Sequence, residues 1–93
     1  MPWIRGFRWD DENAAHIGRH RVAPDEVEEI FINGPVVLRG RDDRYLAYGR
    51  TAGGRLVFVV YVARPRGQIR VLTARDMTER EKRFYRARSR GRR

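Results

Sequence analysis

Residues 56–63 read Leu-Val-Phe-Val-Val-Tyr-Val-Ala, an apolar run bounded by Gly53-Gly54 before it and Pro65-Arg66-Gly67 after it. An extended chain with this sequence is apolar on both alternating faces, which predicts a central strand covered on each side. Such a strand needs neighbours, and the flanking sequence supplies them. Upstream, Arg44 to Arg50 has the strand period, and Val36 to Arg39 precedes it across the turn Gly40-Arg41-Asp42-Asp43. Downstream, Gln68 to Ala74 makes a fourth strand. The three connections are short, which favours a four-stranded antiparallel meander.

Helical signals lie outside this block. Asp10 can cap a short helix that carries Ala14 and Ile17 and runs to about Arg19, although Gly18 weakens it. Pro24 opens a second helix, with Asp25 and Glu26 at the positive end of its dipole and Val27, Ile30 and Phe31 on one face. Asn33-Gly34-Pro35 ends that helix. After the last strand, Thr78-Glu79-Arg80-Glu81 matches a capping box and starts a third helix, which directs Met77, Phe84 and Tyr85 toward the sheet. The expected architecture is α+β: two N-terminal helices, a four-stranded antiparallel meander and a C-terminal helix. A single domain over residues 1–93 suits this length, with the basic tail 88–93 expected to fray.

Charge is segregated along the chain. The formal net charge is +9, yet Asp10 to Glu29 is net negative, and Lys82 is the only lysine among 21 basic residues. Arginine's planar fork suits phosphate oxygens and stacking on bases, so a polyanionic partner is the natural inference. The absence of cysteine removes disulfides, thiolate metal sites and cysteine nucleophiles, and fits a cytoplasmic address. The longest apolar run is too short to span a membrane, and Met1 to Trp9 lacks the apolar core of a signal peptide.

Several segments together resemble the BrnT family of bacterial type II toxins, a branch of the RelE-like ribonucleases. They are Phe7-Arg8-Trp9-Asp10, Arg19-His20 followed by Val22, Asp25 to Phe31, Arg44-Tyr45 with Gly49, and Ile69 to Arg75 before Glu81 and Tyr85. Arg21 stands where the family commonly has glycine, and Asp43 where it often has glutamate. The spacing between Trp9 and His20 is also one residue shorter than is common. The resemblance implies a RelE-like domain that cleaves RNA, on mRNA and in some settings on the ribosome, and so stops translation. It further implies a cognate antitoxin protein that holds the toxin inactive, with DNA reached only through the complex.

RNA carries its own nucleophile, the 2′-hydroxyl, so cleavage needs an in-line backbone, cations for the phosphoryl charge and two proton transfers. No metal or cofactor is required. Arg44, Arg70 and Arg75 are the cation candidates and are expected to converge on one scissile phosphate. His20, Glu81 and Tyr85 are the proton-transfer candidates. Each has an ordinary structural explanation: a helix C-terminus for His20, the capping box for Glu81, packing beside Phe84 for Tyr85. Arg80, Arg83, Arg86 and Arg88 are expected to hold the RNA backbone.

His16 and His20 stand one helical turn apart, but no further ligands complete a metal shell, and His16 is expected to be structural or exposed. Gly53-Gly54 lacks the lysine and hydroxyl residue of a phosphate loop and is expected to be a hairpin turn. The competing reading is a nonenzymatic RNA-binding or ribosome-associated module on the same fold. Removal of Gly91 to Arg93 is expected to weaken RNA affinity and flatten its salt dependence.

Overall fold

The computed structural model describes residues 4–90; the segment Gly91 to Arg93 lies outside the described residues. The elements run β1 (Gly6–Phe7), α1 (Asp11–Gly18), α2 (Pro24–Ile32), β2 (Val36–Arg39), β3 (Arg44–Arg50), β4 (Leu56–Arg64), β5 (Gln68–Asp76) and α3 (Glu79–Arg90). The first part of the expected tail, residues 88–90, belongs to α3.

The sheet corrects the expectation of a four-stranded antiparallel meander. It has five strands in the order β1-β5-β4-β3-β2, and β1 runs parallel to β5 while the other pairs are antiparallel. The extra strand is two residues long, so it has no period to betray it. Its place is set by main-chain bonds, Arg5 N–H to Gly67 O at 2.7 Å and Arg8 N–H to Ile69 O at 2.8 Å.

β4 is central and covered on both faces. One face carries Val57, Val59 and Tyr61 into a core with Ile17 of α1, Val27 and Ile30 of α2, and Ile69, Val71 and Ala74 of β5. The other carries Phe58 into a smaller core with Val36, Tyr48 and Met77, against which Phe84 and Tyr85 of α3 pack. Each fully buried valine or isoleucine among them contributes roughly 1.5–3 kcal/mol by leaving water. α2 lies so close to β3 that a Cβ at Gly49 would be 2.7 Å from Ile30 Cβ. Gly49→Ala is therefore expected to cost about 1–3 kcal/mol through overpacking. The thermal midpoint should fall by about 4–8 °C per kcal/mol lost, and an unchanged midpoint would mean that α2 shifts freely.

The helix starts follow their sequence signals. Asp10 Oδ1 accepts from Asn13 N–H at 3.0 Å, and Asn13 Oδ1 accepts from Asp10 N–H at 2.8 Å. Glu26 Oε1 accepts from Ala23 N–H at the start of α2, and Thr78 with Glu81 closes the capping box of α3. Arg21, at the family's glycine position, has a φ of 59°, the left-handed region that favours glycine. Its carbonyl accepts from Arg55 Nη1 at 2.7 Å, and Arg55 also pairs with Glu26 and Asp76, so one guanidinium ties the α1–α2 turn to β5.

One irregularity decides where the arginines of β5 point. The β4–β5 register runs Val60↔Thr73 and then Tyr61↔Val71, which leaves Leu72 as an extra residue. The bulge reverses the alternation, so Ile69, Val71 and Ala74 all enter the same core. Arg70 and Arg75, five residues apart, consequently pair with Val62 and Phe58 on the other face.

Candidate functional site

α3 packs mainly over β2 and β3. Beneath it lies a groove of about 250 Å³ lined by Leu38, Tyr48, Arg80, Glu81 and Phe84. Arg75 reaches the groove from β5. Its guanidinium lies 4.5 Å from the centre of the Phe58 ring and donates to both carboxylate oxygens of Glu81, at 2.8 and 3.0 Å. Glu81 also accepts from Thr78 N–H at 2.8 Å. Arg75 holds the Glu81 carboxyl below its usual range, with burial opposing, and Glu81 raises Arg75 in return. Tyr48 packs against Phe58 and Phe84, and burial, helped by the Glu81 charge, pushes its phenol up. The pair is a charge-fixed acceptor and donor beside a phenol that keeps its proton.

The other candidates are distributed as follows. Arg44, Val62 and Arg70 form one row across three strands, so the backbones of Arg44 and Arg70 lie about 10 Å apart. That row stands four residues along β4 from Phe58, or about 13 Å from Arg75. The three arginines thus share a face by backbone register without meeting at one point, and the Arg70 guanidinium turns at the sheet edge to the first turn of α1. Arg70 is held at the sheet edge by Asp10 and Glu12. The Arg70 bond lowers Asp10, and Asp10 in turn raises Arg70. Tyr85 packs on the α3 side of the sheet, near the groove.

His20 is not brought to this face. It sits in the turn after α1, in the helical layer on the opposite side of the sheet, where its carbonyl accepts from Arg55 at 3.4 Å. Its ring meets that of His16 edge to face at 5.9 Å. His16, not His20, lines a second hollow of about 210 Å³ with Glu12, Asn13 and Arg70. Tyr48 is not singled out in the sequence, and His16 is expected there only to be structural or exposed. His16 stands one turn after Glu12, and Tyr48 shares the alternation of Leu46, so the helical and strand periods held the signal.

Along α3, Arg80, Arg83, Arg86 and Arg90 make no ion pair among the described residues, and Arg88 lies over the Phe84 ring at 5.5 Å. These positions form an open cationic rim beside the groove. Among the described residues, no group of three or more His, Cys, Asp or Glu side chains is placed to hold a metal ion. No helix among them is long and apolar enough to cross a membrane.

Asp10, Glu81 and Asp76 are all held below their ordinary values, Asp10 by Arg70, Glu81 by Arg75 and Asp76 by Arg55. A depressed carboxyl contributes stability that is complete above its unfolded value, 3.8 for Asp and 4.5 for Glu, and is lost as pH falls through the folded value. Thermal midpoints should stay level down to about pH 5 and drop below about pH 4. A midpoint that stays level to pH 2 would show that these pairs add nothing.

These features define a three-layer α+β domain: a mixed sheet with two helices on one face and, on the other, a single helix bordering a cationic groove. The family model described as "Ribonuclease toxin, BrnT, of type II toxin-antitoxin system" matches residues 9–81, and the chain belongs to this BrnT family, within the RelE-like superfamily. The 1.1 Å crystal structure of the Brucella abortus ribonuclease toxin BrnT is similar, with a TM-score of 0.65 at 18% identity, covering 80% of this chain and 97% of that one. At that identity the likeness concerns the fold. No curated protein matches the chain in sequence.

Proposed function

We propose that this chain is the ribonuclease toxin of a type II toxin–antitoxin pair, acting in the cytoplasm and cleaving RNA by attack of its own 2′-hydroxyl without a metal. Membership of the BrnT family supports the class of activity. The observation that carries the site is the Arg75–Glu81 pair set in a groove with Tyr48, beside the unpaired arginines of α3.

The chemistry follows from an exchange of partners. An RNA phosphate entering the groove competes with Glu81 for Arg75. As Arg75 turns to the phosphoryl oxygens it stabilises their growing charge, and Glu81, freed from its cation, becomes more basic. Glu81 then accepts the 2′-hydroxyl proton while the 2′-oxygen bonds to phosphorus. The bond to the 5′-oxygen breaks, and that oxygen takes a proton from a tyrosine, Tyr85 or Tyr48. The products are a 2′,3′-cyclic phosphate and a 5′-hydroxyl. Arg80, Arg83, Arg86 and Arg88 hold the strand, while Arg44 and Arg70 engage neighbouring phosphates. His20, on the opposite face, serves the turn after α1. An antitoxin covering the groove would use the same arginines and supply the DNA contacts.

The second reading, a nonenzymatic RNA-binding or ribosome-associated module, draws on one observation: Arg75 and Arg70 both already have carboxylate partners. Incubating purified chain with labelled RNA and excess chelator separates the two. Cleavage that persists in chelator is expected; tight binding without cleavage would establish the module, and cleavage lost on chelation would end the metal-free mechanism. Replacing Arg80, Arg83 and Arg86 together by alanine should flatten the slope of log affinity against log salt by about 2 for single-stranded RNA. An unchanged slope would remove α3 from the interface.

A further inference from the structure

On the opposite face of the sheet, at the end where β4 turns into β5, there is a pocket of about 180 Å³ lined by Ile4, Tyr45, Tyr61, Ala63, Arg64 and Ile69 among others. Its composition is unusual for a structural void. Tyr45 and Tyr61 are neighbours in the β3–β4 register, and their rings stack at 5.3 Å with 17° between planes. Arg39, next in the same row, places its guanidinium 5.6 Å from the centre of the Tyr45 ring. Neither hydroxyl has a hydrogen-bond partner among the described residues, and since no buried polar side-chain atom there is left unsatisfied, each phenol oxygen reaches solvent, although the Tyr61 residue as a whole is only 3% exposed.

The rim is cationic. Arg64 donates only to the carbonyl of Ala63, Arg66 projects from the β4–β5 turn, and the Arg5 side chain lies against Gly67; none of the three pairs with a carboxylate among the described residues. Arg39 has only Asp43, at 3.6 Å, with both side chains largely in solvent. An exposed pair of that kind is readily exchanged for phosphate.

We propose that this pocket is a second nucleotide subsite, which takes one unpaired base of a single-stranded RNA against the tyrosine pair and its flanking phosphates on Arg64, Arg66 and Arg39. Aromatic walls with arginines at the mouth are the chemistry by which single-stranded nucleic acid is held, because every base has a π-face and every linkage a charge. A pocket of this size admits one planar base. The Arg44–Val62–Arg70 row adjoins Tyr45 and Tyr61 along the strands but faces the other way. A strand leaving the α3 groove passes that row, rounds the end of the sheet and reaches the pocket a few nucleotides from the scissile bond. The subsite rests on the RNA reading above and explains how a chain this small gains a grip beyond the cleaved linkage.

The test uses the full chain and a short unstructured RNA with 2′-O-methyl sugars and one photoreactive thiouridine, which binds without being cut. Cross-links are expected on the peptides bearing Tyr45 or Tyr61 as well as on α3. Tyr45→Leu and Arg64→Glu should each weaken binding roughly 5- to 100-fold, while Tyr45→Phe retains affinity. Cleavage of a dinucleotide too short to span both sites should be unchanged in all three variants. Because Tyr45 packs on the core, Arg64→Glu carries the test if Tyr45→Leu fails to fold. Cross-links confined to α3, with Arg64→Glu binding as wild type does, would overturn the subsite and leave the ribonuclease reading standing. Cross-links in the pocket from a chain that cuts no RNA would do the reverse.

Discussion

Arg75→Ala is expected to lower RNA cleavage by roughly 10²- to 10³-fold, the loss typical of removing one preorganised donor from developing transition-state charge. Arg75 is fixed before substrate arrives. The Phe58 ring supports one side of its guanidinium, and Glu81 orients the fork with two bonds. Little reorganisation is then needed when the phosphate replaces the carboxylate. Arg75→Lys keeps the charge but loses the planar fork, so it should restore binding more than turnover. The variant should still fold, because Glu81 keeps its bond from Thr78 N–H and its side chain is 20% exposed. The fall should therefore appear in single-turnover cleavage by a chain whose melting is nearly that of wild type. A folded Arg75→Ala protein that cuts RNA at the wild-type rate would remove Arg75 from the mechanism.

The largest effect on stability is expected from Asn13→Ala. Asn13 is 3% exposed, and its amide joins three elements. Its Nδ2 donates to Arg8 O at 2.9 Å, just after β1, and to Val71 O at 3.2 Å on β5, while its Oδ1 accepts from Asp10 N–H. Alanine strands these groups where water has little access, and each unsatisfied buried group costs about 1–3 kcal/mol. A total near 3 kcal/mol corresponds to a fall of roughly 12–24 °C in a domain of this size. Asn13→Asp should be nearly as damaging, since its carboxylate would face two carbonyl oxygens. A loss of only a few degrees for Asn13→Ala would mean that water takes over the amide's role.

Much of the chain announced itself. The unbroken apolar run from Leu56 made β4 central, because a strand apolar on both faces is stable only when both are covered. The Thr78–Glu81 box marked the start of α3, and the same two residues now hold the carboxylate that meets Arg75. Candidate cations were visible as residue types, but not their arrangement. Strict alternation over β5 would set Arg70 and Arg75 on opposite faces; the bulge at Leu72 gives them register positions on one face, and the acids of α1 then draw the Arg70 guanidinium to the sheet edge. His20 had the more suggestive sequence setting, yet the turn after α1 carries it away from the groove, while His16 falls beside Arg70.

Residue identity and period, on their own, settled the three helices, the four longer strands, the segregation of charge and the resemblance to a toxin family. Those properties are local, or depend on a repeat that a short window reveals. Tertiary structure alone decided that two residues near the N-terminus would join the sheet in parallel, which carboxylates would claim Arg70 and Arg75, and that Tyr48 would border the groove. Each of these depends on distant segments meeting at a register that a single bulge resets, and pairing energies of that kind exist only once the chain has closed on itself.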